Sequence, residues 1–141
     1  MSDGEKRFYW LKLQEGFFDD LRIKRLRKLA GGDTLTIIYL KLQLLALRSN
    51  GVLQFRGLDN SIYDELALEI DEEADNLQIL INYLVRAGLA EVYDGEKIFL
   101  PDVVEHSGKE GSSAQRMRAM RARLQKRDLP GLPSPDGELF P

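Results

Sequence analysis

The most regular alternation of apolar and polar positions in this chain lies in residues 61–101, SIYDELALEIDEEADNLQILINYLVRAGLAEVYDGEKIFLP. Ile62, Leu66 and Ile70, with Ala67 beside them, recur at helical spacing and predict a short helix over 62–70. Asp71 then predicts the cap of a second helix, with Glu72, Glu73 and Asp75 in its first turn, where the helix dipole favours carboxylates. Leu77, Leu80, Ile81, Leu84 and Val85 form its apolar stripe, and Gly88 suits a left-handed stop. Two β-prone runs follow, 89–93 and 97–100, joined by Asp94-Gly95, a dipeptide that favours a tight hairpin turn. Helix, turn, longer helix and hairpin is the order of a winged helix-turn-helix.

The flanks extend this unit. FYWLKL, residues 8–13, reads as an early strand or extended arm. Asp19 or Asp20 caps a following helix with Leu21, Ile23, Leu26 and Leu29 at its apolar positions, and Gly31-Gly32 stops it. Asp33 is the cap expected for a helix over residues 34–49, which Asn50-Gly51 ends. That helix has two apolar stripes: Leu35, Ile38, Leu42 and Leu45, and Ile37, Leu40, Leu44 and Leu47. It is expected to be buried around most of its circumference, either as the central core helix or by sharing the second stripe with another subunit. VLQF, residues 52–55, alternates and would join the hairpin in a three-stranded sheet. Residues 102–111 lack periodicity and read as a loop. Ser112 and Gln115 make a capping-box signal for a last helix, with Met117, Met120 and Leu124 on one face.

The fold class expected is therefore mainly α with a small β-sheet (α+β). Its parts are an N-terminal strand and helix extension over 1–32, a winged-helix domain over 33–104 and a loop over 105–111. A basic helix over 112–127 and a flexible Pro-rich tail over 128–141 complete it.

Charge sharpens this picture. The chain of 141 residues carries a net charge of −3, but unevenly. Residues 1–108 hold 13 Lys and Arg against 19 Asp and Glu, whereas residues 109–127 hold 7 against 1. There is no cysteine, which removes disulfides and thiolate chemistry, and no apolar run approaches the roughly 18 residues of a membrane span. A cytoplasmic setting is expected.

Enzymatic signals are weak. The single His106 has no cysteine to pair with and lies in an expected loop, and no phosphate-cradling glycine motif is present. Asp71, Glu72, Glu73 and Asp75 lack calcium-loop spacing, and helix capping accounts for them. Neither a catalytic set, a metal site nor a cofactor is expected.

Polyanion binding fits the basic segments. Arg22, Lys24, Arg25, Arg27 and Lys28 place five positive charges in seven residues. Arg116, Arg118, Arg121, Arg123, Lys126 and Arg127 place six in twelve, with no acid among them. Each could neutralise a phosphate, or alternatively meet acidic protein surface. The outward face of the second helix of the motif offers Asn76, Asn82 and Arg86 to base edges, although its acidic start would repel phosphates. Lys97 adds one cation near the wing.

A resemblance accompanies these readings. The pieces FFDD, RIKRLRKLAGGDT, IIYLKLQLL, EKIFLPDV and GSSAQRMRAMR, in this order over about residues 5–125, resemble the N-terminal domain of phage replisome organizer proteins, relatives of DnaD-type primosomal proteins. The resemblance implies a non-enzymatic winged-helix protein of a phage or prophage, acting in the bacterial host cell. Such a protein binds replication-origin DNA, forms homo-oligomers and helps bring in the replicative helicase or its loader. For self-association, Ile37, Leu40, Leu44 and Leu47 are the candidates. The competing readings are a protein-interaction scaffold of the primosome without direct DNA readout, and a winged-helix transcriptional regulator.

Overall fold

The computed structural model describes residues 9–105 and 113–124. Its elements are α1 (Leu21–Arg27), α2 (Gly32–Leu45), β1 (Val52–Gln54), α3 (Ile62–Ile70), α4 (Ala74–Arg86), β2 (Glu91–Tyr93), β3 (Lys97–Phe99), α5 (Pro101–Glu105) and α6 (Ser113–Leu124). The described residues thus form a mainly helical α+β structure with a small antiparallel sheet. Phe8, His106, the expected cap Ser112, Lys126, Arg127 and the Pro-rich tail lie outside the described residues.

Of the two alternatives expected over residues 8–13, a strand or an extended arm, the described residues 9–13 form no strand. Residues 9–14 are neither helical nor paired, and Tyr9, Trp10 and Leu13 face solvent, so nothing supplies the cross-strand partners that a strand needs. A short 3₁₀ turn, Phe17–Asp19, then leads into α1. Asp20 caps that helix, its carboxylate accepting the Arg22 backbone N–H at 2.8 Å.

Between α1 and α2 the chain turns through Gly31, whose φ of +69° is in the left-handed region. Gly31 is also the N-cap of α2, which starts two residues earlier than Asp33 capping would have set it. Gly32 lies against the carbonyls of Leu26 and Arg27, where any Cβ would collide with backbone. The glycine pair is therefore a corner for close helix packing rather than simply a stop.

The two stripes of α2 separate. Leu35, Ile38 and Leu42 are buried together with Thr36, Tyr39 and Gln43, while Leu45 is half-buried. Ile37 is 53% exposed and Leu44 56%, one turn-aligned strip flanked by the half-buried Leu40 and Lys41, so beyond its first turn the helix is buried or half-buried around most of its circumference, as expected, and open along that strip. It also ends sooner than expected. After Leu45 the chain tightens into a 3₁₀ turn, Leu47–Ser49, and reverses through Asn50 and Gly51, both at positive φ.

The sheet has the order β1-β3-β2, all antiparallel, with Leu53 and Val92 both opposite Ile98. Asp94 and Gly95 both take positive φ in the hairpin turn, and the Glu96 N–H donates to the Tyr93 carbonyl at 3.0 Å. Ser61 caps α3 through the Asp64 N–H at 3.2 Å. The buried Glu65 carboxylate accepts the backbone N–H groups of Arg56 and Leu58 at 2.9 and 2.8 Å, pinning the β1–α3 connection to the helix.

The main core joins Ile23 and Leu26 of α1, the buried side of α2, Ile62 and Leu66 of α3, the stripe of α4 and Ile98. A second cluster consists of Tyr93, Phe99, Val104, Met120 and Leu124. Residues 102–105, expected in a loop, instead form most of α5, with Val103 and Val104 buried. Two adjacent valines cannot show a period, and their burial decides the outcome. The apolar face of α6 covers the hairpin, each such buried side chain contributing about 1.5–3 kcal/mol. Among the described residues no helix is long and apolar enough to cross a membrane.

Candidate nucleic-acid interface

Seven residues make up α1, and its buried pair Ile23 and Leu26 leaves the remaining positions facing outward. The cations divide into two groups. Arg22 folds back on Asp20, with N–O distances of 3.1 and 2.8 Å, and Arg27 pairs with Asp33 at 2.7 Å while lying over the Phe18 ring. These hydrogen bonds hold both guanidinium pKa values above, and both carboxylate values below, their ordinary ranges. Lys24, Arg25 and Lys28 are exposed and make no ion pair with the described residues.

The second helix of the expected motif, α4, turns Leu77, Leu80, Ile81 and Leu84 inward. Asp75, Gln78, Ile79, Asn82 and Arg86 face solvent, with Asn76 and Tyr83 half-buried. Tyr83 does more than line this face. Its hydroxyl donates to the Arg22 backbone carbonyl at 2.5 Å, joining α4 to α1, and burial pushes its pKa up. Tyr83 thus ties α4, which also carries Asn82 and Arg86, to the helix that carries Arg25 and Lys28.

The acidic start expected for α4 is smaller than the spacing suggested. Asp71 is not its cap but the left-handed end of α3, at φ 60°. Glu72 precedes the helix and pairs with Lys41 at 2.7 Å, and Lys41 also donates to the Ile70 carbonyl at 3.0 Å. Glu73 occupies the cap position without a side-chain bond, leaving Asp75 as the acid of the first turn. The three-residue connection 71–73 holds three of the four carboxylates, two of them ahead of the cap position.

Further along, Lys97 is half-buried in β3, opposite Gln54 and Tyr93, and so lies beside the hairpin turn rather than at its tip. The basic helix is partly committed to the fold. Arg121 donates to both Glu91 carboxylate oxygens, at 3.0, 3.0 and 2.6 Å, and lies 5.9 Å from the Phe99 ring centroid. Glu91 is only 3% exposed and also accepts the Tyr93 hydroxyl at 2.6 Å. Arg116 donates to the Val104 carbonyl at 3.0 Å, at the end of α5. Arg118 and Arg123 face outward. The role of Glu91 had no sequence signal, because an acid inside a short β-run normally faces water.

The self-association candidates are likewise split: Ile37 and Leu44 are exposed, whereas Leu47 packs partly against the main core. Among the described residues no group of three or more His, Asp or Glu side chains is placed to hold a metal ion.

Exposed cations that make no ion pair with the described residues thus lie on α1, α4 and α6, among other positions. No curated protein and no solved structure matches the chain. A family model described as the N-terminal phage replisome organiser matches residues 10–128, which spans α1 to α6. The chain therefore belongs to the N-terminal phage replisome organiser family, and with it to the proteins that initiate phage DNA replication.

Proposed function

We propose that this protein binds duplex DNA of a replication origin in the cytoplasm of a phage-infected host, acting as a winged helix and without catalysis. In this reading α3 and α4 are the helix-turn-helix and β2–β3 the wing. Lys24, Arg25 and Lys28 grip phosphates, while Asn82 and Arg86 meet base edges from the adjoining face. The Tyr83 hydroxyl bond to the Arg22 carbonyl carries the reading, because it ties α4, which carries Asn82 and Arg86, to α1, which carries the three exposed cations. Arg118 and Arg123 add a second phosphate-binding edge, whereas Arg121 and Arg116 serve chiefly to hold α6 in place.

A scaffold reading has one observation in its favour, the exposed Ile37 and Leu44 on α2. We propose that this stripe joins a second copy, and that the assembled protein recruits the replicative helicase or its loader.

The test is fluorescence anisotropy on a duplex across a salt series. Replacing Lys24, Arg25 and Lys28 together by Ala is expected to weaken binding and to reduce the salt slope by about 3, near 0.9 per lost phosphate contact. Replacing Arg118 and Arg123 is expected to reduce it by about 2. Unchanged affinity and slope in both variants would overturn the DNA-binding assignment and leave the scaffold.

A further inference from the structure

The residues before α1 hold the largest exposed aromatic side chain of the described structure. Trp10 is 70% exposed and its neighbour Tyr9 45%. The guanidinium of Arg48, from the 3₁₀ turn after α2, lies 4.8 Å from the Tyr9 ring centroid, and no ion pair among the described residues engages it. Lys12 is exposed two residues further along the arm. Neither residues 9–14 nor residues 47–51 contain an acid, although the whole chain is net negative.

The arm joins the body at its C-terminal end, where Phe17 packs against the main core, and Lys12, Leu13 and Gln14 line a cavity with Gln43 of α2 and the carboxylates of Asp20, Asp102 and Glu105. Solvent-facing aromatic rings with cations beside them suit a ligand that offers flat π-faces and negative charge together. Unpaired nucleobases on a phosphate backbone are such a ligand. Duplex DNA is not, because its bases are already stacked.

We infer that Tyr9, Trp10, Lys12 and Arg48 form a stacking platform for single-stranded DNA, separate from the duplex face on α1 and α4. A base stacks on the Trp10 indole, Tyr9 backed by Arg48 supplies a second ring, and Arg48 and Lys12 take the phosphates. Such a site would suit an initiation protein at the point where the origin duplex opens. This inference extends the DNA-binding reading above but stands on other residues.

Trp10 is the single tryptophan of the chain, so its fluorescence reports on this site alone. Titrating the full chain with a short oligothymidylate is expected to quench that emission to saturation. The equivalent duplex should quench it little. By anisotropy with labelled oligothymidylate, Trp10→Ala should weaken binding about 5-fold or more, the range found for one lost stacking partner. Trp10→Phe should retain most of the affinity, and Arg48→Glu should lose it. Duplex affinity should be unchanged in all three.

Emission that stays constant while anisotropy shows the oligonucleotide bound would overturn the platform. So would Trp10→Ala binding oligothymidylate as the parent does, including the case in which light scattering shows that this variant changes only the oligomer. Loss of duplex binding with intact quenching would instead count against the α1–α4 reading alone.

Discussion

Arg121 of α6 grips the buried Glu91 of β2 with both ends of its guanidinium, the shortest contact being 2.6 Å. This pair, with Met120 and Leu124 beside it, converts a basic helix into part of the fold. Within that helix, charge alone does not separate a ligand-binding arginine from a structural one. The hydrogen bond to Glu91 raises the pKa of Arg121, the direction expected for a cation that supports the folded state.

Replacing Arg121 by Met is therefore expected to lower stability by about 1–3 kcal/mol, because it removes the charge-assisted hydrogen bonds that Arg121 gives to the buried Glu91 carboxylate. The figure falls below that of a fully enclosed pair, since the Arg121 side chain is 42% exposed and solvent screens part of the attraction. Arg118→Ala and Arg123→Ala should each stay within about 0.5 kcal/mol of the parent. Urea unfolding curves compare the three, and equal loss in all of them would refute the distinction.

Gly32 makes a second prediction. A methyl group there meets the Leu26 and Arg27 carbonyls, which are backbone and cannot swing aside. Gly32→Ala should therefore cost at least about 2–3 kcal/mol, far outside the stabilisation that Ala normally gives within a helix. Gly16→Ala, with nothing near its Cβ position, is the control and should change thermal stability little. A Gly32→Ala protein that melts with the parent would show that α1 and α2 do not need this close approach.

How far the sequence foretold this structure depends on the kind of signal each element carried. Helix α4 was legible because Leu77, Leu80, Ile81 and Leu84 repeat over about two turns, and the hairpin because Asp94-Gly95 leaves few backbone choices. Asp71 was misassigned because aspartate both caps helix starts and tolerates the left-handed conformation that ends them, and only the chain path separates the two roles. Of the strand or arm expected at residues 8–13, the strand alternative fails over the described residues 9–13 for another reason. Aromatic, β-prone residues form a strand only where an open sheet edge receives them, and periodicity cannot supply that partner. The basic segments were legible as charge. Which cations are spoken for, Arg121 by Glu91 and Arg27 by Asp33, depends on residues distant in sequence or across a corner.

The acid limb of stability should trace carboxylates held by hydrogen bonds. Although burial at 4% exposure opposes its ionisation, the N–H groups of Leu58 and Arg56 prevail and hold the Glu65 pKa below its ordinary 4.5. Asp20 is likewise held below 3.8, chiefly by the Arg22 guanidinium. In both cases the folded state binds fewer protons than the unfolded chain. Their contribution is thus complete above about pH 4.5 and is lost as pH falls through the folded values. Glu65→Gln should therefore flatten the decline in unfolding free energy below that pH, while lowering stability near neutrality. A decline of unchanged steepness in this variant would assign the acid sensitivity to other groups.

The seven residues of α1 have a consequence of a different kind. A helix of about two turns does not persist in water by itself, and one with adjacent like charges does so even less. Lys24, Arg25 and Lys28 are consequently an ordered array only while Ile23 and Leu26 remain seated in the core; in the unfolded chain the same charges are scattered. A polyanion that recognises the array recognises the folded state, and by mass action it would act as a folding cofactor for the domain that binds it.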